Sequence, residues 1–365
     1  MSLTNKIVLL TMLLATGAQG QTVSSVDGLI SQGELVTING SGFGADSRGN
    51  ITLFDTVESG AISNSWDRND LTDLTVVDFS RHLNSAKSAF VDVNYYNPAF
   101  VPQRPFVKAS LQTRFTSDTW FCQYWLYYGA NVERTQGDAM DNGKGMRWRP
   151  EGDGVENCYI GFPSGLFGIF TIQQEGTPGT AIESQYDEFL YGEARTIMAL
   201  QTWLCVQTEY VASSVGAYDG RVTMWVNGRK VAEVTEQMTR EFDSGLPWVQ
   251  HLGIEYENIG YINDSNFNYF DDFYCSDTLA RVEIGDAPVY DNCTHREIQE
   301  ITSWGPGAVG ITVNTGSFLN QEIAYVFVVG ADGTKSAGSQ VIINSSYVNP
   351  VTLVAPSNLT ASGGN

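Results

Sequence analysis

The chain has 365 residues, of which 42% are hydrophobic, 12% aromatic and only 17% charged. This composition excludes collagen, a coiled coil and an intrinsically disordered chain, and the length predicts two to three domains. The formal net charge is -21, with 41 Asp and Glu against 20 Lys and Arg. Because phosphate backbones and anionic lipids are bound by clusters of Lys and Arg, we expect no nucleic-acid or membrane-surface partner.

The N-terminus is typical of a secretory signal peptide over residues 1–20. Lys6 precedes an apolar run at residues 7–15, and the small-x-small sequence AQG at residues 18–20 predicts cleavage before Gln21. The apolar run is shorter than the about 20 residues that a membrane-spanning helix needs. We therefore expect a secreted protein, outside the cell or on its surface, with no membrane anchor after cleavage.

Strand-like patterns fill the chain, whereas almost no window repeats apolar residues at helical spacing. Apolar and polar residues alternate in short runs bounded by Gly, Asn and Asp, as expected for β-strands. Asn227-Gly228 lies between two such runs and predicts a type I′ hairpin turn, because both residues tolerate positive φ. Asp332-Gly333 predicts a second turn of this kind. We therefore expect an all-β protein built of β-sandwiches.

Residues 33–44, with the sequence GELVTINGSGFG, resemble the opening of an immunoglobulin-like IPT/TIG domain. The rest of that pattern is missing after residue 60 and is found within residues 280–347, as ARVEIG, ITSW, GITV and YVFVVGADGTKSAGSQVII. We therefore predict one small immunoglobulin-like sandwich split into residues 21–60 and 280–347. The alternative is two separate β units, one at each end. The resemblance implies a structural or adhesive domain.

The aromatic region between these parts, residues 61–279, resembles the concanavalin A-like jelly roll of laminin-G-like modules, glycan-binding modules and polysaccharide lyases. The resemblance rests on Trp203, Val206, Glu209 and Tyr210, followed by the loop ASSVGAYDG and the runs RVTMWVNG and RKVAEV. It implies two packed sheets with one concave face for a glycan. Residues 348–365 are predicted to be a flexible tail.

Several polar and aromatic residues occupy alternate positions of predicted strands. Arg147 and Arg149 share one face, where bidentate guanidinium groups suit a uronate carboxylate. In the predicted strands at residues 120–128 and 202–211 the sequence does not tell which face lines a groove. The alternative is a core role for the aromatic residues and pairing with acidic residues for the arginines. The candidate carbohydrate-binding residues are Arg147, Arg149, Gln123, Trp125, Gln207 and Glu209.

Three functions are compatible with these features. The first is recognition of an extracellular polysaccharide. The second is a polysaccharide lyase acting on a uronate polymer by β-elimination, with Tyr127 or His251 as the candidate catalytic base. The third is a structural surface or filament protein that self-associates. Two facts count against the lyase: the alginate lyase blocks R-x-E-L-R, Q-I-H and Y-x-A-G-x-Y-x-Q are absent, and an acidic protein repels a polyanion.

Four acidic residues form a candidate calcium site, because calcium prefers oxygen ligands. They are expected to meet where the first and last strands of the jelly roll lie side by side, and the alternative is solvated turn residues. No other cofactor is implied by the sequence. The four candidate ligands are Asp73, Asp78, Asp271 and Asp272.

The five cysteines allow disulfides in a secreted protein, but an odd number leaves at least one thiol unpaired. Cys275 and Cys293 flank a turn-rich segment and are predicted to form a disulfide. Cys158 is predicted to be unpaired. The sequence leaves the state of Cys122 and Cys205 open.

Overall fold

The fold is described from a computed structural model of the chain. The described residues are 20–44, 51–62, 74–82, 85–92, 107–115, 117–128, 142–150, 157–161, 171–175, 185–186, 197, 199, 201–240, 248–257 and 267–344. In the six-stranded sheet defined below, the description covers the backbone and the side chain of Met146. The predicted signal peptide up to residue 19 and the predicted tail lie outside the described residues.

The described residues form 22 β-strands, paired antiparallel, and a short 3-10 turn at Tyr290–Asn292. None of these residues belongs to a helix long and apolar enough to cross a membrane. In chain order the strands are β1 (Thr22–Asp27), β2 (Leu35–Ser41), β3 (Ile51–Asp55), β4 (Leu74–Val77), β5 (Ser88–Asp92), β6 (Val107–Phe115), β7 (Thr119–Tyr128), β8 (Asn142–Pro150), β9 (Asn157–Gly161), β10 (Thr171–Glu175), β11 (Gln185–Tyr186), β12 (Trp203–Val211), β13 (Gly220–Val226), β14 (Arg229–Gln237), β15 (Trp248–Glu257), β16 (Phe267–Ser276), β17 (Arg281–Gly285), β18 (Arg296–Ile298), β19 (Glu300–Trp304), β20 (Ala308–Thr312), β21 (Ile323–Val329) and β22 (Ser339–Ile342).

The central part of the chain folds into a jelly-roll β-sandwich of two antiparallel sheets. The eight-stranded sheet has the order β14–β13–β12–β7–β16–β5–β4, and β3 also pairs with β16. The six-stranded sheet has the order β11–β10–β9–β8–β15–β6. The predicted all-β, jelly-roll fold class is thereby confirmed.

The two sheets of the jelly roll enclose an apolar core. Along β7, Cys122, Tyr124 and Leu126 belong to this core, because alternate side chains of a strand lie on the same face. Met146 on β8 is fully buried in the same cluster. It therefore shows which face of the six-stranded sheet closes the core. Burying one large apolar side chain in this way contributes about 1.5–3 kcal/mol.

The two ends of the described chain fold together into a small β-sandwich. One of its sheets has the order β1–β2–β20–β19, and the other has the order β18–β17–β21–β22. Ile38 on β2 pairs with Val309 on β20, and both pack in one core with Val313, Val282 and Val326. Residues from both ends of the sequence thus share a core, and the jelly roll lies between them in the chain.

The chain leaves the small sandwich earlier than the sequence pattern predicts. That pattern ends the first part of the small sandwich at residue 60. In the structure β3 already pairs with β16, with Leu53 opposite Cys275, and Leu53 packs in the jelly-roll core. The first part therefore ends before Ile51. A short apolar strand carries no residue type that assigns it to one sandwich or the other.

The Asn227-Gly228 turn has the predicted backbone, with φ of 49° and 73°. It joins β13 to β14, and its tip touches the small sandwich. A Cβ atom on Gly228 would lie 2.1 Å from the carbonyl oxygen of Cys293. A Cβ atom on Gly33, where φ is also positive at 79°, would meet nothing within 4 Å. Gly228 is therefore required both by the turn and by the close approach of the two sandwiches.

Replacing Gly228 by alanine tests this close approach. Gly228→Ala and the control Gly33→Ala both place a Cβ atom on a residue with positive φ, which destabilises a protein by about 1 kcal/mol. Only Gly228→Ala must also displace the backbone at Cys293. We therefore expect it to lower the free energy of unfolding in urea by clearly more than the control does. Equal losses in the two variants would contradict this packing.

Candidate functional site

The outer face of the eight-stranded sheet, the face away from the jelly-roll core, is covered by the small sandwich. Phe121, Gln123 and Trp125 alternate with the core residues of β7, and each of them is at most 5% exposed. Phe121 packs with Ile298 of β18. Trp125 meets the His295 ring edge-on, with the ring centroids 5.9 Å apart. Both faces of this strand are therefore buried.

Gln207 links the two sandwiches by hydrogen bonds. Its side-chain nitrogen donates to Oε1 of Gln123 at 2.8 Å and to Oε1 of Glu283 at 2.5 Å. Its own Oε1 accepts a hydrogen bond of 2.6 Å from Nη2 of Arg296. Because Glu283 lies on β17 and Arg296 on β18, Gln207 is a buried connection across the junction.

Arg281 is buried at the same junction and is fully paired. Its guanidinium carbon lies 3.9 Å from the centroid of the Phe121 ring. Nη2 donates to Oε1 of Glu209 at 3.0 Å and to the Tyr290 hydroxyl at 2.8 Å, and Nε donates to Oε2 of Glu283 at 3.3 Å. Burial by itself would raise the pKa of Glu283, but the neighbouring guanidinium groups, Arg281 first, hold it below its ordinary value. This carboxyl is therefore charged.

A second buried arginine, Arg81, meets three carboxylates. It donates hydrogen bonds to Asp272 and to Glu297, the latter with an Nη1–Oε1 distance of 3.0 Å. Its Nε lies 3.6 Å from Oδ2 of Asp271, and its guanidinium carbon lies 4.2 Å from the centroid of the Trp125 ring. Burial by itself would lower the pKa of Arg81, but the surrounding carboxylates raise it above its ordinary value.

The predicted calcium site is not assembled. Asp271 and Asp272 are paired with Arg81, and Asp78 is paired with a surface lysine at 2.6 Å. Asp73 lies outside the described residues. Within the described ranges, no three Asp, Glu, His or Cys side chains are grouped so that they could hold a metal ion. A buried arginine thus supplies the positive charge that the prediction assigned to calcium.

The same contacts overturn the carbohydrate-binding role predicted for four residues of the eight-stranded sheet. Alternate residues share a face, as the sequence indicates. However, one face of this sheet is covered by the six-stranded sheet and the other by the small sandwich. Each of the four side chains is at most 5% exposed and is packed within the protein rather than on an open groove: Gln123, Trp125, Gln207 and Glu209.

Tyr127, one of the two candidate bases, lies in an aromatic cluster. Its ring centroid is 5.1 Å from that of Phe79, 5.6 Å from that of Trp203 and 5.8 Å from that of Tyr269. Burial raises the pKa of Tyr127 above the ordinary value for tyrosine. Since a catalytic base must be deprotonated, this position favours packing over proton abstraction.

The predicted disulfide between Cys275 and Cys293 is not formed, and both are free thiols. Cys275 lies on β16 in the jelly-roll core, with its sulfur 3.1 Å from that of Cys122 on β7. Cys293 packs in a separate cluster of the small sandwich. The two predicted partners therefore belong to different sandwiches, which their closeness in sequence conceals. Cys158 lies on β9, where the side chain is outside the description.

The face of the six-stranded sheet that lies away from the core, here called the open face, brings together polar positions from distant parts of the sequence. Met146 points into the core, so position 147 belongs to the open face. The register places Arg147 opposite His251 on β15 and opposite Tyr159 on β9. The same pairing continues to β6 and β10. We call these five positions the polar row: Gln112, His251, Arg147, Tyr159 and Gln173.

The row beside it, on the core face, is apolar across β6, β15, β8, β9 and β10. Leu252 and Ile160 are in register with the buried Met146, and the pairing extends to Leu111 and Ile172. An apolar row next to a polar row is typical of a sheet with one face in a core and the other toward solvent. The register and the residue types therefore agree on which face is open.

A second row on the open face adds two arginines. Arg149 pairs with Val249, which pairs on its other side with Arg114 of β6. Arg147 and Arg149 on β8 thus share this face with His251 on the neighbouring β15 and with Arg114 on β6, one strand further away. The sequence identified Arg147, Arg149 and His251 but missed the residues of β6 and β9, because no local pattern shows which strands become neighbours.

Comparisons with known proteins give structural likenesses at low sequence identity. No protein-family model matches the sequence, and no curated protein matches it. The endo-β-1,4-glucuronan lyase of the fungus Trichoderma reesei is 10% identical, with a TM-score of 0.40 over 58% of this chain and 91% of that chain. The alginate lyase vAL-1 of a Chlorella virus is 14% identical, with a TM-score of 0.42 over 62% of this chain and 99% of that chain.

A third similar structure is domain 4 of AbnA, an extracellular arabinanase of Geobacillus stearothermophilus, in complex with arabinotriose. It is 10% identical, with a TM-score of 0.35 over 63% of this chain and 93% of that chain. Identities and TM-scores at this level give no information about the activity of this chain. The functional assignment therefore depends on its own residues.

Removing Arg81 would leave three buried carboxylates without their cation. We expect Arg81→Met to lower the free energy of unfolding by about 3–5 kcal/mol, as when one partner of a buried ion pair is removed. Lys87→Met is the matched control, because Lys87 forms a surface ion pair with Asp78. It should leave the urea midpoint nearly unchanged. A loss as small as that of the control would show that the junction does not depend on Arg81.

His82 makes the stability of the protein depend on pH. Burial first, and then the charge of Arg81, lower the pKa of His82 to about 3, whereas in an unfolded chain it is about 6.5. As the pH falls below the higher value, the unfolded state binds a proton that the folded state does not. The folded protein should therefore lose about 2 kcal/mol by about pH 5. In urea unfolding, His82→Gln should lack this part of the decrease, and parallel pH profiles would refute the assignment.

Proposed function

We propose that the protein is a polysaccharide lyase that cleaves a uronate-containing polymer by β-elimination on the open face of the six-stranded sheet. The observation that carries this proposal is the register that sets His251, Arg147 and Tyr159 side by side on neighbouring strands. Histidine acts as a base, arginine binds a carboxylate and tyrosine donates a proton. Of the two candidate bases, the proposal assigns proton abstraction to His251 and not to Tyr127, which packs in the aromatic cluster.

The proposed reaction removes the proton on C5 of the uronate, next to its carboxylate. Arg147, together with Arg149, binds the carboxylate and stabilises the negative charge that develops there. His251 accepts the C5 proton. Tyr159 donates a proton to the glycosidic oxygen on C4 as the C4–O bond breaks. The electron pair of the C5–H bond becomes the new C4–C5 double bond, so that atoms and electrons balance.

The open face suits an anionic polymer although the whole chain is acidic. Two adjacent rows across β6, β15 and β8 contain three arginines and a histidine and no carboxylate. A local positive patch attracts a nearby anionic segment, while the more distant negative charges are screened beyond about 8 Å at physiological salt. The positions in these rows are Gln112, Arg114, Val249, His251, Arg147 and Arg149.

The small sandwich and the predicted secretion fit the same proposal. A signal peptide would bring the protein to polysaccharides outside the cell. We take the small sandwich to be an IPT/TIG-like immunoglobulin domain, as its sequence resemblance implies, with a supporting rather than a ligand-binding role. This role is supported by the buried contacts of Gln207, Arg281 and Arg81, which use the covered face of the jelly roll for packing.

Recognition of the polysaccharide without cleavage is the second candidate function. Gln112 and Gln173 stand in the polar row, and amide side chains suit hydrogen bonds to sugar hydroxyls. The absence of the three alginate lyase blocks also favours a binding protein. Such a protein needs Arg147 for the carboxylate but needs no base at position 251.

A panel of neutral and uronate polysaccharides separates these functions. With the mature protein we expect ultraviolet absorbance to rise, from the new double bond, with uronate polymers only. His251→Ala should lower the initial rate by about 100-fold or more, since general acid–base catalysis contributes about 10²–10⁴-fold. His295→Ala is the matched control, because His295 lies at the junction against Trp125, on the far side of the jelly roll.

The same panel has outcomes that reject the proposal. Retention of a uronate polymer with no change in absorbance would identify a binding protein, and Arg147→Ala should then weaken retention by about 1–3 kcal/mol. Neither retention nor cleavage would favour the structural, self-associating protein. A fully active His251→Ala would exclude this histidine as the base. Thermal unfolding of each variant shows whether a lost activity reflects lost folding.

A further inference from the structure

A polar cleft of about 510 Å³ lies between the jelly roll and the small sandwich. Trp225 and Glu209 contribute to it from the outer face of the eight-stranded sheet, and Lys335 contributes from the turn that follows β21. The cleft is therefore separated from the polar row by the full thickness of the jelly roll. Its volume is within the range of about 300–1,000 Å³ that is typical of small-molecule sites.

Three of the four acidic residues that line the cleft have partners, and the fourth, Asp291, is exposed and forms no ion pair among the described residues. Glu209 accepts a hydrogen bond of 3.0 Å from Arg281. Glu233 accepts one of 2.7 Å from Lys230, and Asp332 accepts one of 2.7 Å from the hydroxyl of the threonine two residues later. These three paired carboxylates therefore contribute little free negative charge to the cleft.

Two positively charged groups in the cleft are less completely paired. The amino group of Lys335 lies 5.3 Å from the centroid of the Tyr290 ring and 6.0 Å from that of Trp225. Within the described part of the chain, it forms no ion pair. Nε of Arg221 is buried without a hydrogen-bond acceptor among the described residues, and its Nη2 reaches Glu209 only at 3.7 Å. Lys335 and Arg221 thus carry donor groups in this cleft that no carboxylate of the described residues meets at hydrogen-bond distance.

The turn that carries Lys335 is fixed against the jelly roll. Gly333 has a φ of 80°, and a Cβ atom there would lie 3.3 Å from Leu279 and 3.7 Å from Nη2 of Arg221. The backbone of Lys335 forms a bridge to Val329. Since the backbone on both sides is held, little ordering of the main chain is needed when a ligand binds.

We propose that this cleft is a second binding site for a uronate residue of the polysaccharide, distinct from the polar row. The carboxylate binds between the amino group of Lys335 and the guanidinium of Arg221, and the sugar ring lies against Trp225. A neutral sugar would leave both cations without a counter-charge, so a carboxylate-bearing sugar is the better ligand. The choice of a uronate polymer as the ligand rests on the proposed function, whereas the cationic groups of the cleft are described independently of it.

A second site has a clear use for a protein that acts on a polymer. The same polysaccharide chain offers many identical residues, so one segment occupies the cleft while another reaches the open face of the same or a neighbouring molecule. Binding through two sites raises the overall affinity without new contacts at either site. The cleft would thus keep the protein on its substrate between cleavage events.

Titration calorimetry with a uronate tetrasaccharide tests this proposal in the His251→Ala background, where cleavage is expected to be at least about 100-fold slower. We expect two tetrasaccharides to bind per chain. Lys335→Gln, added to this background, should reduce the number to one or weaken one site about tenfold or more, as expected for a lost charged hydrogen bond. Lys230→Gln is the matched control, because Lys230 lines the same cleft but is paired with Glu233. It should leave two sites.

The outcomes distinguish this proposal from that for the polar row. If the cleft binds and the polar row does not, one tetrasaccharide binds and Lys335→Gln abolishes it. If Lys335→Gln changes neither number nor affinity, the cleft is not a uronate site. Equal, Lys335-dependent binding of a neutral glucose tetrasaccharide would overturn the assigned ligand class.

Discussion

Buried charges decide how the two sandwiches of this protein fit together. A charge removed from water is tolerated only where opposite charges and hydrogen bonds surround it. Arg81 of the jelly roll meets Glu297 of the small sandwich, and Arg281 of the small sandwich meets Glu209 of the jelly roll. Each sandwich thus contributes an arginine that pairs with a carboxylate of the other, so a small shift of one sandwich over the other would leave charges of both signs unpaired. This requirement gives the junction one orientation, which an apolar interface alone would define less strictly.

The junction also determines where a ligand can bind. Because the small sandwich covers the outer face of the eight-stranded sheet, that sheet has no open face for a groove. The six-stranded sheet has one face in the core, shown by Met146, and its other face carries the polar row. The cleft at Lys335 lies where the two sandwiches diverge at the edge of the covered face. The junction and the polar row thus lie on opposite sides of the jelly roll.

Much of the fold is predictable from the sequence, because it depends on local rules. Strand alternation, the Asn227-Gly228 turn and the shared face of Arg147 and Arg149 all follow from residue types a few positions apart. The failed predictions depend on which segments meet. Gln207 in an apolar strand is equally suited to a sugar hydroxyl and to a buried junction, and only its neighbours Glu283 and Arg296 decide between them. In the same way, Tyr159 becomes part of the polar row only through its pairing with β8.

The partners of the basic residues distinguish those that hold the junction together from those proposed to bind a ligand. Acidic residues outnumber basic ones by 41 to 20, so a cation in this protein readily finds a carboxylate. Arg81 and Arg281 do so at the junction, where their positive charge is neutralised within the protein. At Lys335 no ion pair forms within the described residues, and the two rows across β6, β15 and β8 hold Arg114, Arg147 and Arg149 with no acidic residue among their six positions. A cation such as Lys335, which no carboxylate of the described residues pairs in so acidic a chain, leaves its counter-charge to be supplied from outside, which is the requirement that the proposed anionic polysaccharide meets.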